Sequence, residues 1–467
     1  MLWVNLEMLT DSFDDTIAAI STAVGEGAVG IVRLSGTKAL VIADAVFTGE
    51  KGLKPSGFKT YTMHYGKILQ AGQMLDEVIL TIMRAPHSYT REDVVEINCH
   101  GGIVALRKIL DLVLENGCRL ASPGEFTRRA FLNGRIDLAQ AEAVIDIIRA
   151  KTDSALKLSL GQLKGVLSKE IDKIRQLLLN ILVVLEANID FPEEDIKQQD
   201  MAGISQSLNV IRGQLNSLLD NARSGNILRD GIHVVICGKP NVGKSSLLNA
   251  LLKKERAIVT SIAGTTRDSI EELIDIKGIP VRIVDTAGIL KPRGLVEKEA
   301  VSRAKTHIRC ADLVIILFDA SRKLENDDRE LIKEVRNKNV IAVINKIDLK
   351  ARIRKEEILK AFHKVVELSA KKARNINLLE DALCEFVYQG RLPNPEFMLV
   401  SSLRHISALK ETQKLLSNAA SALVNKLPLE FITQDLKDAS VYLDKILGKD
   451  SSAELLDRIF ADFCIGK

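Results

Sequence analysis

The chain has 467 residues, 46% hydrophobic and 27% charged, with Lys+Arg 65 against Asp+Glu 61 for a net charge of +4. This composition excludes a disordered chain, a collagen-like fibre and a small disulfide scaffold, and it argues against a uniformly basic nucleic-acid binder. Aromatics are 4%, with Trp3 the one Trp, too few for a stacking platform on single-stranded nucleic acid; the length suggests roughly three domains.

Up to about Asn133, strand-like runs alternate with turns: Ala28 to Leu34, Lys59 to Leu69, Glu77 to Met83 and Asp93 to Cys99. A helix-period run from Ile103 to Glu115 closes at Asn116-Gly117, and the whole predicts an α+β domain over 1–133. The run Gly25-Glu-Gly-Ala-Val-Gly30 matches GxGxxG. Its glycines precede a strand instead of following one, so we expect a turn and no NAD or flavin on this chain. From Ile136 to Phe191 apolar residues step by three or four, through Leu156, Leu160, Leu163, Leu167, Ile171, Ile174, Leu178, Ile181 and Leu185. That stepping predicts one stripe on one long helix, a packing face for other helices. Pro192 ends it, and a further helix is expected over about Ile204 to Ser224.

Between Gly231 and Tyr388, short β-rich runs alternate with helical stretches: Ile232 to Cys237, Val281 to Val284, Leu313 to Phe318, Val340 to Ile344 and Val365 to Leu368. This predicts a parallel sheet with crossover helices. After Gln389-Gly-Arg-Leu-Pro393 the helical pattern returns to the end. The tail is short, so it is expected to complete a bundle with the helices before the sheet. The fold class expected is multidomain: an α+β domain at 1–133, a discontinuous all-α helical domain at 134–229 and 389–467, and an inserted α/β P-loop domain at 230–388.

Gly238-Lys-Pro-Asn-Val-Gly-Lys244-Ser245 matches GxxxxGK[ST] after a strand and before a helix. Backbone N–H groups of Asn241, Val242, Gly243 and the helix start at Ser246 face phosphates there. Lys244 reaches the β- and γ-phosphates and Ser245 holds Mg²⁺. Asp285-Thr286-Ala287-Gly288 follows a strand, with Asp285 on Mg²⁺ through water and the Gly288 N–H on the γ-phosphate. Asn345-Lys346-Ile347-Asp348 follows another, where a carboxylate accepts two guanine N–H groups that adenine lacks. Ser369-Ala370-Lys371 supports the base from the next strand. Each fragment alone fits a surface turn; in this order they resemble the motif set of GTPases.

Gly264-Thr265-Thr266 lies between, and resemblance to the Ras-like, TRAFAC-class GTPases puts Thr266 on Mg²⁺. The water-orienting Gln that Ras-like enzymes carry after DxxG is Ile289 here. Asn241 resembles the Asn of potassium-activated GTPases, whose K⁺ is also held by backbone oxygens at Thr260, Ile262 and Thr265, within the loop that includes Ser261 and Ala263. The alternative is that Asn241 caps its own loop.

The remaining segments extend the resemblance over the whole chain. They are Ile31-Val-Arg33-Leu-Ser-Gly36, Tyr89-Thr-Arg-Glu-Asp-Val-Val-Glu96, His100-Gly-Gly102, Pro123-Gly-Glu-Phe-Thr127, Arg129-Ala-Phe-Leu-Asn-Gly-Arg135, Gln140-Ala-Glu-Ala143, Asn188-Ile-Asp-Phe-Pro-Glu193 and the terminal Phe463-Cys-Ile-Gly-Lys467. Together they resemble the MnmE (TrmE) family of tRNA-modification GTPases. The resemblance implies a folate-binding N-terminal domain that forms a homodimer. It implies work with the flavoprotein MnmG (GidA), in a heterotetramer, on carbon 5 of the wobble uridine of tRNA. The group added is of the aminomethyl type, with a one-carbon unit from a tetrahydrofolate derivative (5-formyl or methylene). GTP hydrolysis is K⁺-stimulated and coupled to G-domain pairing. By position Arg33, Glu96, Arg135 and Lys467 correspond to folate contacts, and Glu297 to a Glu that positions the attacking water, with Lys244 and Thr266 as its catalytic partners. Leu290 stands where a relative carries Arg, so no arginine role is assigned there, and the family's N-terminus is shorter than Met1–Ser12 requires.

Cys99, Cys118, Cys237, Cys310, Cys384 and Cys464 form no CxxC pair and the seven histidines no metal spacing, so neither zinc nor disulfides are expected. Cys464 is expected to be a buried or neutral thiol. The N-terminal stretch has neither signal- nor transit-peptide character, and Leu177 to Phe191 is too short and polar to cross a bilayer, so a cytoplasmic, membrane-free protein is expected. The rival reading is a ribosome-assembly GTPase on rRNA; near-neutral charge and the terminal FCIGK argue against it.

Overall fold

The computed structural model describes residues 15–49, 52–190, 198–254, 271–285, 306–389 and 400–467. The chain divides into two compact units, 1–145 with 443–467, and 146–442.

The first unit is built on a sheet of β1 (Ile17–Ile20), β2 (Gly27–Ser35), β3 (Phe47–Gly49), β4 (Thr62–Gln70), β5 (Gln73–Met83), β6 (Val94–Gly101) and β7 (Arg119–Leu120). The order across it is β3-β4-β5-β6-β2-β1-β7, antiparallel except for the β1–β7 edge. Helices α1 (Ala39–Val46) and α2 (Ile103–Glu115) contribute Leu40, Ile42, Leu106 and Ile109 to a core with Val32, Leu34, Ile68, Leu80 and Ile97. Of the GxGxxG run, Gly25 and Glu26 form the expected bend, and Gly27 to Gly30 already belong to β2, so the strand begins inside the run and not after it as expected. Gly30 is where α2 lies closest, for a Cβ there would meet Leu106 at 2.7 Å. α3 (Glu125–Leu132) and α4 (Leu138–Arg149) follow, and Ala130, Leu138 and Ile145 pack with Leu456, Phe460 and Phe463 from the chain's last segment.

Beneath this lies an ionic cluster. Arg129 is fully buried and donates to Asp15, Glu92 and Glu125, with Asp15 at 2.6 Å and Glu125 at 3.0 Å. Burial alone would raise the Asp15 and Glu125 carboxyls. Hydrogen bonds and charge from Arg119 and Arg129 win, and both are held below the usual carboxylate range.

The second unit begins with α5 (Asp153–Leu163), α6 (Val166–Asp190), α7 (Gln198–Asp220) and α8 (Ala222–Asp230). One continuous helix from Leu156 to Leu185 is not what forms. The chain breaks at Gly165, whose φ is +76°, with its N–H on Gln162 O at 2.8 Å, a left-handed helix stop that glycine adopts without strain. Beyond the break Leu167, Ile171, Ile174, Leu178, Ile181 and Leu185 are buried as predicted. Before it the buried face is Ala155, Leu158, Ser159 and Gln162, and Leu160 is exposed.

The α/β part follows: β8 (Ile232–Gly238), α9 (Lys244–Lys254), β9 (Glu271–Ile276), β10 (Ile279–Asp285), β11 (Leu313–Asp319), α10 (Asn326–Val335), β12 (Val340–Asn345), α11 (Lys355–Ala361), β13 (Lys364–Glu367) and α12 (Ile376–Tyr388). The sheet order is β13-β12-β11-β8-β10-β9. It is parallel except for β9, which pairs antiparallel with β10 through a Lys277-Gly278 turn at φ +52° and +85°, so the expected all-parallel sheet is corrected to a mixed one. All seven residues of β11 are buried, as a central strand covered on both faces requires. Then α13 (Leu403–Val424), α14 (Leu429–Leu447) and α15 (Ala453–Ala461) close the chain, with α13 packed on α7.

Within this unit the α/β part is seated on the helices at several points. Thr152 caps α5 by accepting from Ala155 N at 3.2 Å, and its hydroxyl also donates to Gly278 O at 2.8 Å. Ser224 Oγ donates to Val387 O at 2.9 Å; within the helical part, Asn226 Nδ2 donates to Ser401 O at 3.1 Å. Among the described residues no helix is long and apolar enough to cross a membrane.

Candidate functional site

In the second unit the loop after β8 is shaped by residues that tolerate little else. Gly238 has φ +146° and would carry a Cβ 2.7 Å from Leu317 O; Gly243 has φ +103° and its Cβ would overlap the Asn345 amide. Asn241 is exposed with φ +64°, a left-handed conformation that Asn enters more readily than most residues. Lys244 is buried, and its Nζ donates to Gly238 O at 2.8 Å and Lys239 O at 2.9 Å, so the ammonium lies inside the loop. Ser245 and Ser246 are exposed in the first turn of α9, where unpaired N–H groups favour anions.

The end of β12 meets this loop. Asn345 is buried; its Nδ2 donates to Val242 O at 2.8 Å and its Oδ1 accepts from Lys346 N and Ala370 N. Three separate sequence motifs are thus joined by one side-chain amide. Lys346, at φ +65°, donates from Nζ to Asn241 O at 2.7 Å and to Asp319 Oδ2 at 2.6 Å. Asp319 was no part of the sequence reading; it closes a strand, and strand ends carry no pattern that singles it out. Asp348 Oδ1 accepts from Ser369 Oγ at 2.6 Å, and that bond, with nearby Lys372 and Lys371, holds its carboxyl below the usual range. Asp348 is exposed. A penalty against adenine therefore arises only when a bound base itself covers this carboxylate.

Asp285 ends β10, beside Ile236 of β8. Thr260, Ser261, Ile262, Ala263, Gly264, Thr265, Thr266, Thr286, Ala287, Gly288 and Glu297 lie outside the described residues.

The first unit brings Arg33, Glu96 and Lys467 together, although they are far apart in sequence. Arg33 and Glu96 face each other across the β2–β6 pair, with Nε–Oε1 2.8 Å and Nη2–Oε1 2.6 Å. Arg33 Nη1 also donates to Gly466 O at 3.2 Å, and Ser21 Oγ donates to the same oxygen at 3.2 Å. Gly466, at φ +93°, runs so close to Ile20 O that a Cβ would overlap it. Burial and the Arg33 charge push the Lys467 ammonium below its usual range, against the opposing pull of Glu96. The Arg33 guanidinium lies 5.6 Å from the Phe126 ring centroid, and Arg135 lies 4.8 Å from that of Tyr89. Tyr89 packs beside Phe126 and hydrogen-bonds Thr127 at 2.9 Å, so Arg135 joins the group through an aromatic wall. Tyr89, Arg135, Arg91, Tyr61 and Met83 line an open pocket of about 480 Å³. A carboxylate, two aromatic faces and cations suit a flat N–H-rich ring carrying an anionic tail. Tyr89 and Phe126 both lie inside motifs quoted from the sequence, but the fold separates them: Tyr89 lines the pocket, while Phe126 is fully buried behind it.

Cys464 is exposed, which removes the buried alternative of the buried or neutral thiol expected. The last turn presents Phe463 to the core and turns its neighbour outward.

Family models match two stretches: "GTP-binding protein TrmE N-terminus" over residues 16–135 and "MnmE helical domain" over 138–464. Proteins described as "tRNA modification GTPase MnmE" are similar over nearly their whole length. That of Clostridioides difficile (strain 630) is 47% identical, covering 97% of this chain and 99% of that protein. That of Desulforamulus reducens is 45% identical (97% and 100%), and that of Geobacillus thermodenitrificans 45% (97% and 99%).

Proposed function

The chain belongs to the MnmE family of tRNA modification GTPases, and we propose that its GTP hydrolysis serves modification of the wobble uridine of tRNA at carbon 5. The observation that carries this reading is the likeness to the C. difficile protein, 47% identical over 97% of this chain and 99% of that protein. In this proposal the protein acts as a homodimer with the flavoprotein MnmG, in the cytoplasm, and the group added is of the aminomethyl type. The domains are 1–133, 134–229 with 389–467, and 230–388.

The roles in this proposal draw on the geometry where the residues are described and on the family resemblance for the others. Asn345 ties the phosphate loop to the base-recognising segment, and Asp348, held by Ser369, accepts guanine N–H groups. Lys346, Ala370 and Lys371 flank the base. Lys244 neutralises phosphate charge from inside the loop. Ser245 and Thr266 would hold Mg²⁺, with Asp285 acting on it through water. Mg²⁺ supplies charge neutralisation on the phosphate oxygens. Asn241 with backbone oxygens at Thr260, Ile262 and Thr265 is the K⁺ site; the exposed, left-handed Asn241 is free of a capping role in its own loop among the described hydrogen bonds, which favours the ligand reading. Glu297 positions water.

In the first unit Glu96 accepts ring N–H groups of a tetrahydrofolate derivative, while Arg33, Arg135 and Lys467 attract its carboxylates. The depressed Lys467 supports this: an ammonium lowered by burial and by the Arg33 charge gains from an incoming anion.

Mass spectrometry of wobble uridine in tRNA from cells lacking this protein tests the proposal. Loss of the C5-substituted uridine is expected; its persistence in full would favour the rRNA-binding alternative.

A further inference from the structure

Outside the motifs, one buried carboxylate touches the residues that join phosphate and base recognition. Asp319 is the last residue of β11, opposite Asn345 in the β11–β12 register, and its side chain is 4% exposed. Both its oxygens are committed. Oδ1 accepts from Ser321 N at 2.9 Å and Ser321 Oγ at 2.7 Å, which fixes the carboxylate's rotation. Oδ2 is left facing Lys346 Nζ at 2.6 Å, with Arg322 Nε further off at 3.7 Å. The same Lys346 ammonium reaches Asn241 O at 2.7 Å, and both Lys346 and Asn241 hold left-handed backbone conformations that cost energy and persist only when neighbours enforce them.

We propose that Asp319 is a positioning residue, which pins the Lys346 ammonium against the Asn241 carbonyl and so holds the phosphate loop and the base-recognising segment in the one arrangement that binds guanine nucleotide. The inference rests on the guanine-nucleotide reading above and adds a residue that touches no nucleotide itself. An ammonium without its carboxylate gains more from water than from one carbonyl, so Lys346 leaves, Asn241 relaxes, and the competent arrangement becomes a fraction of the population. Apparent affinity falls by that fraction.

The test uses the full chain, with a fluorescent N-methylanthraniloyl-GDP as probe and GTP turnover as a second readout. Asp319→Asn is expected to weaken GDP binding about tenfold, as if the competent state were about one-tenth populated, and to raise KM while kcat at saturating GTP stays within about twofold. Lys346→Met is expected to weaken binding at least as much, and the double variant no further than Lys346→Met alone, because the two side chains act as one device. Asp319→Ser, which keeps an acceptor near Ser321, carries the same cycle if Asp319→Asn does not fold. Wild-type affinity in the Asp319 variants, or effects that multiply in the double variant, overturns the inference alone. Absence of GDP binding by the wild-type chain overturns the guanine reading and this inference with it.

Discussion

Single residues decide what the proposed guanine clamp accepts. Asp348→Asn replaces an acceptor with an amide that cannot take two N–H groups, so GTP affinity should fall and xanthosine nucleotide should be preferred; unchanged GTP affinity in a competition assay would exclude the assignment. Gly243→Ala should abolish nucleotide binding while leaving the far-ultraviolet circular dichroism intact, because its Cβ competes for the space of the Asn345 amide at a left-handed φ. At this scale the sequence was highly informative where chemistry is local. The phosphate loop and Asn345 could be read from a few neighbours, since backbone geometry and phosphate binding both demand them. Arg33, Glu96 and Lys467 could not be joined that way: their meeting is created by antiparallel pairing of β2 with β6 and by the return of the chain's last residues.

At the scale of elements, apolar period and turn chemistry fixed existence better than continuity. The helix over Ile103–Glu115 was legible to the residue because Asn116-Gly117 stops it. The stripe through Leu156 to Leu185 hid a break, because a three-or-four step is preserved across a single left-handed glycine while the buried face rotates. β9 is not legible because Glu271, Glu272 and Asp275 interrupt the apolar run that its neighbours show; the Lys277-Gly278 pair is the available signal. Truncation of Leu178 to Ala should cost about 2–5 kcal/mol in chemical denaturation, since the side chain is fully buried, while Leu160→Ala should cost under about 1 kcal/mol on the exposed side of α5. Gly278→Ala should also destabilise, because its Cβ would overlap Ser154 Oγ beside the Thr152 cap; equal midpoints for Gly278→Ala and wild type would show the turn to be free of α5.

On the scale of the whole molecule the division into units and the charge balance bear on stability. In the first unit Asp15 and Glu125 have folded-state pKa values below those of the unfolded chain. Their contribution is complete above the unfolded carboxylate value of about 4 and is lost as pH falls through the folded values. Protection of β1 and β2 against hydrogen exchange should therefore fall between pH 5 and about 3 by more than global charge accounts for. Arg129→Met should weaken that acid dependence and cost about 3–5 kcal/mol by taking the buried guanidinium from Glu92, while Arg119 still holds Asp15 and Glu125. Net charge of +4 foretold none of this, because the cations and anions are sorted into the interior and not summed at the surface.

The strand edge that receives Gly466 has one more consequence, for the order in which the protein is made. Ser21 leaves the ribosome 445 residues ahead of Gly466, and Arg33 433 residues ahead of it. Phe460 and Phe463, which complete the packing around Ala130 and Leu138, come equally late. The first unit is therefore an unfinished half for nearly the whole of synthesis, with an apolar surface waiting for its lid while the α/β part is free to fold on schedule. Any shortening of the chain's end leaves that early half permanently open, however sound the nucleotide site in the middle.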